Sequence, residues 1–225
     1  MICAIVPCGG AGRRMERKTP KAFLTMEGRP ILFHTMSAVK KSGLFDRILV
    51  PVPKEKVAHA ARMLREWGFE EAEPLAGGAS RRQSVWNAVR MLPDEAKYVV
   101  VHDGVRPLAS PALFHAVLKA AKRHGAAITA IPCTDTVKTV RKGRVAGTAD
   151  RGSMFLVQTP QAFRAELLRE AHREAARRRL SAPDDAALVE RLGAPVAAVP
   201  GERWNIKITV PEDLTVAAAL LRERG

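Results

Sequence analysis

Three short stretches concentrate the glycines, basic side chains and acids that anion binding or catalysis would draw on. The first, VPCGGAGRRMERKTPKAF from Val6 to Phe23, follows an apolar run and carries three glycines, five basic side chains and one acid. Glycines between a strand and a helix let backbone N–H groups come close to phosphate oxygens, because no Cβ intervenes and a positive φ is open to them. Arg13, Arg14, Arg17, Lys18 and Lys21 add side-chain charge at the same place, which favours a polyphosphate as the bound group. The second stretch, GGASRRQSV from Gly77 to Val85, is another glycine-to-helix junction with Ser80 or Arg81 at the helix start. It can offer backbone groups to an anion or to the polar edge of a base, or it is a plain capped turn. The third, VVVHDGVRP from Val99 to Pro107, sets Asp103 at the carboxyl end of a buried strand, where open α/β sheets gather ligand groups. An acid there can hold a ribose hydroxyl or Mg²⁺, and Arg106 can take a phosphate bidentately; a salt bridge between the two is the structural alternative.

Other patterns are excluded. The first loop is neither G-x-G-x-x-G nor G-x-x-x-x-G-K-[ST], so the dinucleotide and P-loop fingerprints fail. No G-x-S-x-G elbow is present, and none of the six histidines forms an H-x-x-x-H pair, so covalent nucleophilic catalysis has no candidate. Thr136 in DTVK, Arg151 in DRG, Thr159 in QTPQAF and Lys207 in NIKIT each read individually as surface or turn residues.

The elements that must position these residues alternate in a β-α rhythm, the pattern of a parallel sheet covered on both faces. Strands are expected at ICAIVP, RILVPV, KYVVVHD, AAITAIP and PVAAVP, and helices at ILFHTMSAVKKSG, KEKVAHAARMLREWG, RRQSVWNAVRML and SPALFHAVLKAAKRHG. The last of these has a Ser N-cap, Pro at its first position and a closing Gly. After Pro132 the rhythm breaks, and residues 134–158 read as a hairpin-like arm. Helices follow from Phe163 to Leu180 and from Asp184 to Leu192, with a last one after TVPEDL. In the first, HREAARRRL reads as a solvated face while Leu167, Leu168, Ala171 and Ala175 point inward.

With 225 residues, the chain fits a single α/β domain over 1–225 with a buried core. No stretch approaches the ~18 apolar residues of a membrane span. The opening MICAIVP lacks the basic start of a signal peptide, so a cytoplasmic location is expected. Cys3, Cys8 and Cys133 lie in or beside apolar runs without C-x-x-C spacing and read as buried free thiols. A net charge of +14 fits nucleic acid, an acidic membrane surface or polyanionic small substrates. One Tyr and no aromatic–basic interleaving weigh against base stacking, and hence against nucleic acid.

Taken in order, GGAGRRM, PKAF, GGASRRQSV, HDGVRP, DTVK, TPQAF, PDDAALVE and NIKITVPEDL resemble the 2-C-methyl-D-erythritol 4-phosphate cytidylyltransferases of the non-mevalonate isoprenoid pathway. The match runs from Val6 to Leu214, and its ordered spacing makes it far more specific than any single piece. The resemblance implies a doubly wound, mostly parallel α/β nucleotidyltransferase fold and a homodimer formed through the projecting arm. It also implies Mg²⁺-dependent transfer of CMP from CTP to the sugar phosphate, with release of pyrophosphate. By the same resemblance Arg14 and Lys21 stabilise the transition state, and Arg151 and Lys207 position the sugar phosphate. Gly9, Gly10 and Gly12 belong to the triphosphate loop, and Gly77, Gly78 and Ser84 to the region that recognises cytosine. Asp103, Arg106, Thr136 and Thr159 fall near the ribose, the metal or the sugar phosphate, with Thr136 and Arg151 reaching the partner subunit's site from the arm. Asp103 is the metal candidate, directly or through water, the Mg²⁺ being held mainly by CTP phosphates.

Two residues depart from the family pattern. Cys8 and Gly9 stand where a pair of alanines is usual, and Pro183 in PDDA stands where Thr is common, removing a hydroxyl contact to the sugar phosphate. The related ribitol 5-phosphate cytidylyltransferases share HDxxRP and much of the first loop, which leaves ribitol 5-phosphate as an alternative acceptor. A non-catalytic basic nucleic-acid-binding protein is the alternative from another class.

Overall fold

Alternation along the apolar runs decides the architecture. In the first strand Cys3 and Ile5 face one way, Ala4 and Val6 the other, and all four are buried. A strand apolar on both faces must lie inside a sheet covered on both sides. The computed structural model describes residues 1–9 and 19–224 of the chain and shows this arrangement.

The chain begins with β1 (Ile2–Ile5), a small hairpin of β2 (Thr25–Met26) and β3 (Arg29–Pro30), then α1 (Ile31–Lys41), β4 (Arg47–Val52) and α2 (Val57–Glu66). Next come β5 (Ala72–Ala76), α3 (Arg81–Val89), β6 (Tyr98–Val101), α4 (Pro111–His124) and β7 (Ala126–Pro132). A second hairpin, β8 (Lys138–Arg141) and β9 (Arg144–Thr148), leads into β10 (Phe155–Arg164). The last elements are α5 (Ala165–Arg177), α6 (Ala186–Glu190), β11 (Ala197–Pro200) and α7 (Pro211–Arg224).

Among the described residues the central sheet has seven strands in the order β11-β7-β10-β6-β1-β4-β5. β10 runs antiparallel to both of its neighbours, and every other pairing is parallel. One face is covered by α1, α2 and α4 through Leu32, Met36, Leu64, Leu113 and Phe114. The other is covered by α3, α5 and α6 through Val85, Val89, Leu168 and Val189. A smaller cluster, with Ile208 and Ala217 against Leu24 and Ile31, seats α7 beside the first hairpin. The doubly wound, mostly parallel expectation is met.

Local chemistry explains the boundaries. Ser110 accepts a hydrogen bond from the Leu113 N–H, Pro111 opens α4, and Gly125 closes it at φ 90°. Because β1, β4, β5 and β6 are parallel, their carboxyl ends gather on one edge of the sheet. β7 runs the same way, since β10 is antiparallel to it and to β6, and the second hairpin therefore departs from that edge. Antiparallel β10 enters the sheet at that edge and runs away from it, with Gln161 beside Val101 and Thr159 lying beyond, on the edge side.

The structure differs from the sequence expectations at several points. β5 was not anticipated, because AEPLA carries Glu73 and Pro74; as an edge strand it accommodates both. The hairpin itself covers Lys138–Thr148, whereas Phe155–Gln158, expected in the arm, already pair with β7 in the central sheet. Phe163 is strand and α5 begins at Ala165. The last helix starts at Pro211, so PEDL forms its first turn. In HREAARRRL, Arg173, Arg177 and Arg178 are exposed as expected, but His172 is fully buried. Cys3 and Cys8 are buried free thiols, while Cys133 is only half-buried.

Candidate active site

Asp103 emerges from β6 at the sheet's carboxyl edge and is held by the neighbouring strand. Its backbone N–H donates to Thr159 Oγ1 at 2.9 Å. His102 is fully buried, with Nε2 3.0 Å from the carbonyl of Arg106 and Nδ1 3.2 Å from Thr159 Oγ1. The carbonyl can only accept, so Nε2 carries the proton and Nδ1 accepts from the threonine hydroxyl. Burial pushes the His102 pKa down to about 4, so the ring is neutral near pH 7.

Three cations surround the Asp103 carboxylate. Arg81 Nε lies 2.9 Å from Oδ1, and Lys207 Nζ lies 2.7 Å from Oδ2. Arg106 Nε is 3.9 Å from Oδ2, while its terminal nitrogen donates to the Asn205 carbonyl at 2.6 Å. Burial alone would raise the Asp103 pKa, but Arg81, Lys207 and Arg106 outweigh it and hold the carboxyl well below its ordinary range. The alternative of a simple Asp103–Arg106 bridge is therefore displaced by a wider cluster, in which Arg106 is the most distant member.

Arg81 is a fork. Its Nε reaches Asp103 and its terminal nitrogen reaches Asp185 Oδ2 at 2.7 Å. Burial disfavours the guanidinium charge, but the two acids more than compensate and raise its pKa. The adjacent acids in PDDA divide their work. Asp184 Oδ1 accepts from the Ala187 N–H at the start of α6. Asp185 is turned inward and meets His172 Nε2 at 2.9 Å.

The glycines of the first two loops meet around one hydroxyl. Ser84 is fully buried beneath its turn, accepts from the Gly78 N–H at 3.0 Å and donates to the Ser80 carbonyl at 3.0 Å. A Cβ on Gly9 or on Gly77 would come within 2.9 Å of Ser84 Oγ, and one on Gly78 within 2.4 Å of Gln83 Cβ. Close approach, not a left-handed backbone, requires glycine here, since none of the three has positive φ. Cys8 is buried with Sγ 3.3 Å from the Val6 carbonyl, packed so closely on Gly104 that a Cβ there would come within 2.3 Å of the sulfur.

A pocket of about 190 Å³ opens among these groups, lined by Arg81, Asp103, Arg106, Thr159, Pro183, Asp184 and Lys207. Of the residues singled out in the sequence, Asp103, Arg106, Thr159 and Lys207 thus share one cavity. Lys21 is tied to the segment that carries Lys207, its Nζ donating at 2.5 Å to the carbonyl of Thr209. Gly9, Gly77, Gly78 and Ser84 form the neighbouring turn cluster. Thr136 and Arg151 are not among the pocket-lining residues: both are exposed in the arm, where Arg151 donates to the Thr134 carbonyl at 3.1 Å. Gly10, Gly12 and Arg14, with Arg13, Arg17 and Lys18, lie outside the described residues.

Arg81, Asp185, Asn205 and Gln158 were missed. Arg81 had left a trace: two arginines open α3 with no acid in its first turn, which the helix dipole disfavours unless acids arrive from elsewhere. Gln158 and Asn205 carry no pattern of their own. They meet only when β10 and the NIKIT segment pack, Asn205 Nδ2 donating to the Thr159 carbonyl at 2.8 Å.

A mostly parallel sheet with a glycine turn and a cation-rich pocket at its carboxyl edge defines an α/β enzyme built for phosphorylated small molecules. The model of the 2-C-methyl-D-erythritol 4-phosphate cytidylyltransferase family (IspD) matches residues 2–223. Proteins of that name from Syntrophus aciditrophicus and Pelotomaculum thermopropionicum are 40% and 42% identical, covering 99% of this chain and 96% and 95% of theirs. The crystal structure of the Thermus thermophilus protein of that name superposes with a TM-score of 0.81 at 38% identity, covering 97% of this chain and 98% of that one. The 4-diphosphocytidyl-2C-methyl-D-erythritol synthase of Anaerococcus prevotii gives 0.86 at 30% identity, covering 99% and 98%. The chain belongs to the 2-C-methyl-D-erythritol 4-phosphate cytidylyltransferase family.

Proposed function

We propose that this protein transfers CMP from CTP to the phosphate of 2-C-methyl-D-erythritol 4-phosphate, forming 4-diphosphocytidyl-2-C-methyl-D-erythritol and pyrophosphate. The observation that carries this reading, beside the full-length kinship, is the convergence of Arg81, Arg106 and Lys207 on one pocket. Lys21 and the Ser84 glycine cluster stand alongside. The acceptor phosphate attacks the α-phosphorus of CTP in line and pyrophosphate leaves opposite. A phosphate monoester dianion is a competent nucleophile near neutral pH, so the chain supplies position and charge rather than a general base.

In this reading Lys207 and Arg106 take the sugar phosphate and Thr159 orients it. Lys207 is about 40% exposed and can turn from Asp103 toward an arriving anion. Arg14 and Lys21 face the charge that grows on the α-phosphate, an interaction typically worth ~3 kcal/mol. Gly9, Gly10 and Gly12 cradle the triphosphate, and the Gly77–Gly78 turn, braced by Ser84, recognises cytosine. Pro183, which lines the pocket, offers no hydroxyl to the acceptor.

The donor set accommodates Mg²⁺ only in part. Asp103 already faces Arg81 and Lys207, and the described residues hold no cluster of three or more metal-ligating side chains. That suits a cation carried by CTP phosphates and touching Asp103 through water, as Mg²⁺ commonly does. Bound so, it would neutralise triphosphate charge.

The arm completes the proposal. Val140 and Val145 on the hairpin, and Phe155 and Leu156 at its base, are more than half exposed. Such a surface favours a homodimer, with Thr136 and Arg151 reaching the partner's site. A cytoplasmic location goes with the free thiols, and no helix among the described residues is long and apolar enough to cross a membrane. The test is pyrophosphate release from CTP with each sugar phosphate in turn. Preference for ribitol 5-phosphate would reassign the acceptor. No release with either, together with a salt-sensitive RNA gel shift, would replace the reading altogether.

A further inference from the structure

The pocket's electrostatics rest on a side chain that does not line it. His172, on α5, is fully buried and lies parallel to Trp86, with ring centroids 6.1 Å apart and 5° between the planes. Its Nε2 is 2.9 Å from Asp185 Oδ1, and its Nδ1 is buried without a hydrogen-bond partner among the described residues. A carboxylate only accepts, so the proton sits on Nε2. From there the contacts run inward: Asp185 Oδ2 to Arg81 at 2.7 Å, Arg81 Nε to Asp103 Oδ1 at 2.9 Å, and Asp103 Oδ2 to Lys207 at 2.7 Å.

We infer that His172 is a positioning residue for the acceptor side of the site, because it keeps one oxygen of Asp185 away from Arg81. The second terminal nitrogen of Arg81 is buried and has no hydrogen-bond partner among the described residues. If His172 released Oδ1, Asp185 could rotate and take both terminal nitrogens of Arg81, the geometry that arginine and carboxylate prefer. Arg81 would then be drawn off Asp103. Asp103, still buried, would lean more heavily on Lys207, its other cation Arg106 standing 3.9 Å away, and a lysine engaged in that way is less available to an incoming phosphate. His172 therefore sets how Arg81 divides between two acids, and through it how free Lys207 is.

The inference rests on the reading of Lys207 as a sugar-phosphate residue, so its test carries Lys207→Ala as a reference. His172→Leu keeps the packing and removes the donor. It is expected to raise the KM for the sugar phosphate roughly tenfold, the scale of one lost charge-assisted hydrogen bond, with CTP affinity within about twofold of wild type. His172→Gln, whose amide nitrogen reaches a similar place, is expected to restore that KM to within about threefold. A purely structural role would lower the melting temperature of the leucine variant without this split between substrates. An unchanged acceptor KM in folded His172→Leu, or no rescue by glutamine, overturns the inference where Lys207→Ala raises that KM. If Lys207→Ala leaves it unchanged, the assignment of Lys207 falls and the inference with it. Should the leucine variant not fold, nitrogen-15 spectra of the wild-type ring decide together with glutamine: a proton on Nε2 supports the arrangement, and a bare Nε2 overturns it.

Discussion

Replacing Arg81 with methionine should be the most costly single change at this site. Methionine keeps the length and the apolar stem but removes both charge-assisted contacts, leaving Asp103 and Asp185 each without that partner. Both acids are buried and the arginine side chain is about a quarter exposed, so solvent repairs little. Stripping one partner from a buried pair typically costs ~3–5 kcal/mol. Two acids are affected here, yet Lys207 still serves Asp103 and His172 still faces Asp185, so the total should stay near ~3–5 kcal/mol rather than double it. The assay is urea denaturation at pH 7, followed by the same measurement down to about pH 3. The sign of the pH effect follows from the depressed pKa values of Asp103 and Asp185. Their contribution is fully present above the unfolded carboxylate pKa of about 4 and is lost as pH falls through the lower folded values. The gap between wild type and Arg81→Met should therefore narrow below about pH 4. Arg81→Lys, which cannot span both acids, should fall between the two. A methionine variant within ~1 kcal/mol of wild type at pH 7, with a gap that ignores acid, would refute the reasoning.

Four further outcomes are expected. Lys21→Ala should lower turnover far more than CTP affinity, and Lys207→Ala should weaken use of the sugar phosphate with CTP binding nearly intact; steady-state kinetics with calorimetry separates the two. Gly78→Ala forces Cβ against Gln83, an overpacking that should cost ~1–3 kcal/mol or loosen the turn, seen as a lower melting temperature with a weaker CTP Kd. His102, with a pKa lowered from 6.5 to about 4, is neutral when folded while the unfolded chain takes up a proton between those values. Stability should fall as pH drops through that window, by ~3 kcal/mol in all, and His102→Gln should lack that component in denaturation measured from pH 7 to pH 4.

Much of the frame was legible because burial on two faces leaves a mark in sequence. Continuous apolar runs such as YVVV, and helices bounded by Ser110 and Gly125, require only local rules to be recognised. β5 escaped because an edge strand can keep a glutamate and a proline that a central strand cannot. The whole of β10 escaped because FLVQTPQAFR lies between the hairpin and the helix, and its pairing reaches back to residues 126–132 of β7 and 98–101 of β6.

The site divides in the same way. Which residues could meet phosphates, and where the glycines had to stand, was readable along the chain, because those demands act within a few residues and across the ends of parallel strands. The sequence also marked Asp103 and Lys207 as members of one family pattern, but nothing local ties one to the other. It took the packed fold to show that Asp103 is met by Arg81 and Lys207 more closely than by Arg106, three residues away. Packing alone turned Asp185 inward and placed His172, from the run HREAARRRL that reads as a solvated face, at the far end of the same chain of contacts. The physical reason is that a buried charge must be compensated wherever packing happens to bring a partner, and the partners here are separated by up to 104 positions along the chain.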